Sequence, residues 1–168
     1  MSDLAPLFAQ ALGFVAMAVG WWAAAQRCDQ RLLRGNLLSA VLTAGHLGGL
    51  GSSLGMSNQL VNAARFGLAQ RVRHRRWAHL FAGVALLQGL ALAQRPAEWC
   101  VVLGSVLSSY LLFCCRGDLL RWGLVGVNLL NLTLSVTLLS WSGILYQSVT
   151  LTLLLRSLLK PRPTPISI

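Results

Sequence analysis

The sequence predicts an all-α polytopic membrane protein with seven transmembrane helices, and three features of the chain predict it. Of its 168 residues, 55% are hydrophobic and 11% are charged, against roughly 45–50% and about 25% in an ordinary soluble domain. The charges lie in short clusters between uncharged runs that are long enough to cross a bilayer. The formal net charge is +10, but the basic clusters alternate with apolar runs instead of forming one face, which favours a membrane over nucleic acid as the partner.

The first half of the chain contains three predicted spans. Residues 4 to 26 are uncharged, and 23 helical residues reach roughly 34 Å, enough to cross a hydrocarbon core of about 30 Å. Asp3 stands where a cleavable signal peptide carries basic residues, so this span is expected to remain in the mature chain. Residues 35 to 64 are too long for one crossing and are expected to break at the glycine- and serine-rich stretch 48 to 55, which gives two helices, the later one ending near Gln70.

The second half of the chain contains four predicted spans. Trp77 to Gln94 forms the fourth, and Glu98 to Cys115 forms the fifth. Residues 122 to 155 are again too long for one crossing and carry a small-residue turn at 140 to 143. A break there gives the sixth and seventh spans.

The basic residues predict how the bundle is oriented. If the first span runs from outside to inside, twelve of the fourteen basic residues lie in the inner segments. The outer side then holds only Arg95, which Glu98 offsets, and Arg65 lies within the third span. The positive-inside rule therefore places the N-terminus outside and the C-terminus in the cytoplasm. A six-span alternative would leave the basic tail outside, against this bias.

An internal repeat relates the first three spans to the last three. The segment 27 to 29 is similar to 116 to 118, and 32 to 34 is similar to 119 to 121, within a near-constant offset of 87 to 91 residues. One helix between two three-helix units gives both units the same orientation in the membrane. We therefore predict a single membrane domain, residues 1–160, built as repeat one (about 4–72), a linker helix (about 77–94) and repeat two (about 98–159), with a short cytoplasmic tail at 161–168.

Polar side chains within the spans are the candidates for a binding site, because they are costly to insert into a bilayer. Helical spacings of three and four place several of them on shared faces. Each has a simpler alternative: an asparagine that bonds a neighbouring helix, an arginine that reaches the cytoplasmic interface, or a packed neutral histidine. The predicted ring of substrate-binding residues is His46 on the second helix, Asn58, Asn62 and Arg65 on the third, Asn128 and Asn131 on the sixth, and Tyr146 and Gln147 on the seventh.

Two aspartates form a second group of candidates at the cytoplasmic side. Asp29 and Asp118 each lie at the start of a helix that rises from that side, where a carboxylate binds free N–H groups and meets the positive end of the helix dipole. We interpret both as helix caps. The alternative is a pair of gate contacts with nearby arginines, one in each repeat.

The same residues argue against an enzyme, a cofactor and a metal site. No catalytic nucleophile and base, phosphate loop or ligand cluster can be assembled from them, and the adjacent Cys114 and Cys115 are too few to close a tetrahedral site. The spans carry no carboxylate relay of the kind that couples transport to protons or cations. The lipid bilayer is the expected partner, with a small solute and a homo-oligomer left open.

Two segments carry a resemblance to a known family. With the string 111 to 117, which contains Phe-Cys-Cys-Arg-Gly, and with 62 to 65 before the arginine-rich loop, the chain resembles the YgjV-type bacterial inner-membrane proteins over nearly its whole length. The resemblance implies a location in the bacterial inner membrane and assigns no activity. In layout alone, the chain is similar to the SWEET and other PQ-loop transporters, which implies two triple-helix units with a solute between them.

Departures from the SWEET pattern keep two functions open. The chain has no Pro-Gln dipeptide, and its five prolines lie at span ends or in the tail, so a moving bundle would bend at glycines such as Gly13, Gly20 or Gly104. The first hypothesis is a passive carrier of a small neutral or anionic solute. The alternative is a non-transporting membrane scaffold or partner subunit, in which the polar residues only fasten the helices together.

The native cysteines test the predicted orientation. An impermeant maleimide applied to intact cells is expected to modify Cys100 and to leave Cys28, Cys114 and Cys115 unmodified, because only Cys100 lies near the predicted outer side. Mass spectrometry of the purified protein measures the modification, and permeabilised cells serve as the control. Selective modification of Cys28 in intact cells contradicts the orientation.

Overall fold

The computed structural model describes residues 4–51, 53–92, 96, 99–137 and 139–159, and these residues form seven α-helices and no strand. The predicted all-α class is therefore confirmed. The acidic and basic residues that the sequence places at the outer side and in the tail lie outside the described residues: Asp3, Arg95, Glu98, Lys160 and Arg162. The helices are α1 (Leu4–Ala24), α2 (Asp29–Gly49), α3 (Ser53–Arg71), α4 (Arg75–Leu92), α5 (Trp99–Cys114), α6 (Gly117–Thr137) and α7 (Trp141–Leu159).

Both long uncharged runs break at the predicted places, and local chemistry explains each break. After α2, Gly51 has a φ of +80°, a conformation that glycine adopts without strain and that ends many helices. The Gly51 N–H donates to the carbonyl of Gly48, which satisfies one of the last carbonyls of the helix. Before α7, the Ser140 hydroxyl accepts from the N–H of Gly143 at 3.3 Å and so caps the new helix.

Six of the described helices form a closed ring. Consecutive helices pack in the order α1, α2, α3 in one half and α5, α6, α7 in the other. Two helix pairs pack across the halves, α1 with α7 and α3 with α5. The remaining helix, α4, packs against α5, and the rings of Phe81 and Phe113 stack there with centroids 5.7 Å apart.

Fully buried leucines lie at the end of the ring where α2 and α6 begin. Leu32 and Leu33 of α2, Leu112 of α5 and Leu120 of α6 are fully buried there. The outer surface of the bundle is apolar in contrast, with exposed side chains such as Phe14. A surface of this kind suits lipid, because soluble monomers rarely expose large contiguous apolar areas.

By length and composition, one described helix, Gly117–Thr137, is long and apolar enough to cross a membrane. Three other apolar helical segments are shorter: Phe8–Ala24, Trp99–Cys114 and Gly143–Leu159. In α2 and α3, asparagine, glutamine, serine and arginine side chains lower the mean hydropathy. The seven spans and their orientation therefore stay a prediction.

Two glycines allow the central helix of each half to approach a neighbour closely. A Cβ at Gly35 of α2 would lie 2.5 Å from the Cβ and 3.1 Å from the Cα of Ala23 in α1. A Cβ at Gly123 of α6 would lie 2.1 Å from a methyl carbon of Leu111 in α5. Small residues at such crossings are how helices pack tightly in membranes.

The crossing at Gly35 gives a stability test. Gly35→Ala is expected to destabilise the fold by about 1–3 kcal/mol, because the new methyl group meets the backbone of Ala23, which cannot rotate away. Gly126→Ala is the matched control, since a Cβ there has no neighbour within 4 Å. Thermal unfolding of the detergent-purified protein should show a lower Tm for Gly35→Ala alone. Equal Tm values for both variants contradict the close approach.

Candidate functional site

A cavity of about 460 Å³ lies inside the six-helix ring. All six helices contribute side chains to its wall, and many of these side chains are polar. Most residues of the predicted substrate-binding ring are brought together here. The six that line the cavity are Asn62, Arg65, Asn128, Asn131, Tyr146 and Gln147.

The other two predicted residues lie elsewhere. Asn58 is exposed and is not among the residues of the cavity wall. The Nδ1 of His46 lies 2.7 Å from the carbonyl oxygen of Ala9, to which it donates a hydrogen bond. A Cβ at Gly13 would lie 2.9 Å from that same nitrogen, so the imidazole fills the gap between α1 and α2. This position matches the packed histidine that was the alternative interpretation of His46.

Several cavity residues are missing from the predicted ring. Asn36, Ser39 and Thr43 of α2 line the wall, as do Gln59 of α3 and Ser108 of α5. The α2 residues follow spacings of three and four, which is the signal that reveals a shared helical face. Serine and threonine are common in membrane helices, so their presence alone does not identify a site.

The cavity residues recur at a constant interval along the chain. Seven residues from α2 and α3 each have a partner in the wall that lies 88 residues later, in α6 or α7. The close-approach glycines Gly35 and Gly123 are separated by the same 88 residues. The pairs are Asn36 with Leu124, Ser39 with Val127, Ala40 with Asn128, Thr43 with Asn131, Gln59 with Gln147, Asn62 with Thr150 and Phe66 with Leu154.

Arg65 is the charged residue among the described side chains that line the cavity. Its Nη1 donates to the Ser105 carbonyl at 2.9 Å and to the Ser105 and Ser109 hydroxyls at 3.2 and 3.1 Å. Its Nη2 donates to the Asn62 side-chain oxygen at 2.7 Å. The side chain is buried and turns toward α5 instead of extending to the end of α3. All of these acceptors are neutral.

Two further side chains, one in the cavity wall and one beside it, bond to backbone groups of α7. The Asn128 amide donates to the Gln147 carbonyl at 2.8 Å and joins α6 to α7. The indole N–H of Trp21 donates to the Tyr146 carbonyl at 3.4 Å, and the two rings stack with centroids 6.1 Å apart. Tyr146 therefore lies at the contact between α1 and α7, where the two halves of the ring meet.

A buried ion pair closes the ring at the end where α2 and α6 begin. Arg121 is 1% exposed, and its Nη1 lies 2.7 Å from a carboxylate oxygen of Asp29. The other oxygen of Asp29 accepts from the N–H of Gly117 at 2.8 Å. Arg121 also donates to the carbonyls of Gly117, Gln26 and Arg27. One guanidinium and one carboxylate thus join the first half of the chain to the second.

The two predicted caps have different environments. The sequence places a capping carboxylate at the start of α2, but Asp29 binds the first N–H of α6 instead, because the two helix starts adjoin and the buried Arg121 requires an anion. Cys28, at the N-cap of α2, makes no capping hydrogen bond through its side chain. Asp118 lies 3.7 Å from Arg27, and its side chain is 44% exposed.

The chain matches a known family of bacterial membrane proteins. The model of the Imp-YgjV family, which is described as a bacterial inner membrane protein, matches residues 7–163. No curated protein and no solved structure matches the chain. The match confirms the family resemblance that the sequence carries. The similarity in layout to SWEET transporters stays a prediction.

The two aspartates give a second stability test. Asp29→Asn is expected to cost about 3 kcal/mol, because it leaves the buried Arg121 without its counter-charge. Asp118→Asn is expected to cost less than about 1 kcal/mol, since Asp118 lies 3.7 Å from Arg27 and its side chain is partly exposed to solvent. Thermal unfolding of the purified protein measures both.

A double variant separates the charge effect from a general loss of packing. Leu33, which precedes Arg121 by 88 residues, is a buried leucine. Arg121→Leu combined with Asp29→Asn should therefore be more stable than Asp29→Asn alone, because no unpaired charge remains. A double variant less stable than the single one contradicts this account.

Proposed function

The chain belongs to the Imp-YgjV family of bacterial inner membrane proteins, and we propose that in that membrane it is a passive carrier of a small neutral or anionic solute. The observation that carries the proposal is the polar cavity of about 460 Å³ between the two halves of the ring. A solute bound there would contact both halves at once. Rocking of one half against the other would then expose it to either side of the membrane, as in transporters that are built from repeats.

The proposed topology has seven spans, with the N-terminus outside and the C-terminus in the cytoplasm. The described helices are 16 to 21 residues long, which corresponds to roughly 24–32 Å and is comparable with a hydrocarbon core of about 30 Å. The apolar side chains on the outer surface support this placement. The basic clusters then lie on the cytoplasmic side.

The proposed architecture has two parallel three-helix repeats and a linker helix. The described helix contacts of the ring are symmetric between the two halves. If α1, α2 and α3 are exchanged with α5, α6 and α7, each contact maps onto another contact of the ring, and the pair α1 and α7 maps onto the pair α5 and α3. The interval of 88 residues between paired cavity residues also supports a duplication. The helix α4 then serves as the linker between the repeats.

The proposed gate is the ion pair between Asp29 and Arg121, with Asp118 and Arg27 beside it. It joins the two halves at one end of the cavity, where buried leucines also fill the ring. Opening this end requires the pair to separate. Gly20 of α1 lies against the Tyr146 hydroxyl, so a bend at that glycine would change the contact between the halves.

Hydrogen bonds between helices support the alternative function, a membrane scaffold. Asn128 and Arg65 bond neighbouring helices through the groups that the carrier would offer to a solute. A scaffold needs these bonds for stability or assembly and needs no solute. The two functions therefore differ in what a cavity substitution changes.

Flux measurements decide between the two. Proteoliposomes should take up at least one solute from a panel of labelled polyols and monocarboxylates faster than empty vesicles do. Asn62→Leu should lower that uptake about tenfold, because it removes a polar cavity group and an acceptor of Arg65. Asn58→Leu, one turn earlier on the same helix and outside the cavity wall, should leave uptake unchanged.

The outcomes separate the carrier from the scaffold. No uptake of any solute on the panel contradicts the carrier. A changed oligomeric state or Tm in Asn62→Leu, without any flux in the parent protein, supports the scaffold instead.

A further inference from the structure

Two buried arginines of the described chain differ in what balances their charge. Arg121 has the carboxylate of Asp29 at 2.7 Å. Arg65 is 6% exposed and donates only to neutral oxygens of Ser105, Ser109 and Asn62. Hydrogen bonds to neutral acceptors satisfy donors but leave the net charge in place. The described wall of the cavity contains no aspartate or glutamate that would neutralise it.

The guanidinium of Arg65 also keeps donor capacity. A guanidinium carries five N–H donors, and the Nε of Arg65 is buried without a hydrogen-bond partner among the described residues. Its Nη2, which carries two hydrogens, has one acceptor, the side chain of Asn62. A carboxylate that enters the cavity would therefore accept from the remaining hydrogen of Nη2, because the Nε exposes no surface to the cavity.

We propose that the cavity binds a small hydroxylated carboxylate monoanion, with Arg65 as its counter-charge. This inference rests on the carrier function proposed above and identifies the solute of that site. The single positive charge of the buried Arg65 is balanced by one negative charge, whereas a dianion would leave a charge uncompensated.

The rest of the wall accounts for the hydroxyl groups. Asn131 and Gln147 each offer a side-chain donor and acceptor, and the Gln59 amide keeps its donors, whereas the Tyr146 phenol already bonds Ser39 and Thr150. A cavity of about 460 Å³ corresponds to roughly fifteen water molecules at about 30 Å³ each. A hydroxy acid of a few carbons fits this space together with bridging water.

A binding comparison on the parent protein tests the charge directly. Titration calorimetry of the detergent-purified protein is done with lactate and with lactamide, which has nearly the same shape and no charge. Lactate should bind at least tenfold more tightly. Equal affinities for lactate and lactamide overturn the proposal, whatever the variants show. Displacement of lactate by chloride at the same millimolar concentration overturns the preference of the site for a carboxylate.

Two variants locate the effect at Arg65. Arg65→Gln should abolish the preference for lactate over lactamide, while Arg65→Lys should retain part of it because the charge remains. Arg34→Gln is the matched control, since Arg34 is an exposed arginine outside the cavity wall and should leave the preference intact. A preference for lactate that survives in folded Arg65→Gln overturns the proposal.

Flux under a membrane potential separates this inference from the carrier itself. A passive carrier of a monoanion moves charge, so 100 mV, positive inside, should drive lactate accumulation in proteoliposomes up to about fifty-fold. Preferential lactate binding without flux contradicts the carrier and supports the anion site. Flux of neutral polyols without any lactate preference supports the carrier and overturns the anion site.

Discussion

The buried guanidinium of Arg121 binds three parts of the chain. It pairs with the carboxylate of Asp29 at the start of α2, and it donates to the carbonyls that follow α1 and to the carbonyl of Gly117 in the first turn of α6. Removing either charge leaves the other buried and unpaired, so the two charges must stay together while this end of the ring is packed. The halves are joined at this end, and the main helix packing between them elsewhere is that of α1 with α7 and of α3 with α5. The cavity lies between these contacts.

The helices that form the cavity wall show why the hydropathy averaged over a whole helix is low where one face of that helix is polar. The polar residues of α2 and α3 lower the mean hydropathy of those helices, and several of the same residues, such as Asn36 and Asn62, line the cavity. Their polar groups face the interior of the ring, while apolar side chains such as Phe14 of α1 face outward. A helix in a ring needs to be apolar on one face only.

Much of the fold follows from local chemistry that the sequence displays. The breaks near Gly51 and Ser140 require only backbone freedom and a capping hydroxyl, so composition predicts them. Spacing likewise predicts that Asn62 and Arg65 share a face. It does not fix how far along the axis the cavity extends, which is why Asn58 lies outside it while Gln59 lies within. The pairing of Asp29 with α6 depends on which helix starts adjoin, and no local pattern encodes that.

The proposed duplication is followed more strictly by the packing of the helices than by their charges. Packing keeps it: Gly35 and Gly123 occupy equivalent crossings, and Leu32 and Leu120 are both fully buried. Charge breaks the symmetry. At the interval of 88 residues that relates the cavity pairs, in place of the 87 that relates 32 to 34 to 119 to 121, a leucine corresponds to Arg121 and another to Arg65. Each half therefore contributes one buried arginine, and the chain supplies a carboxylate to one of them, at the closed end, while neutral groups surround the other in the cavity. A permanent counter-ion suits a contact that holds the halves together, whereas a charge left for a solute suits a site that must empty and refill.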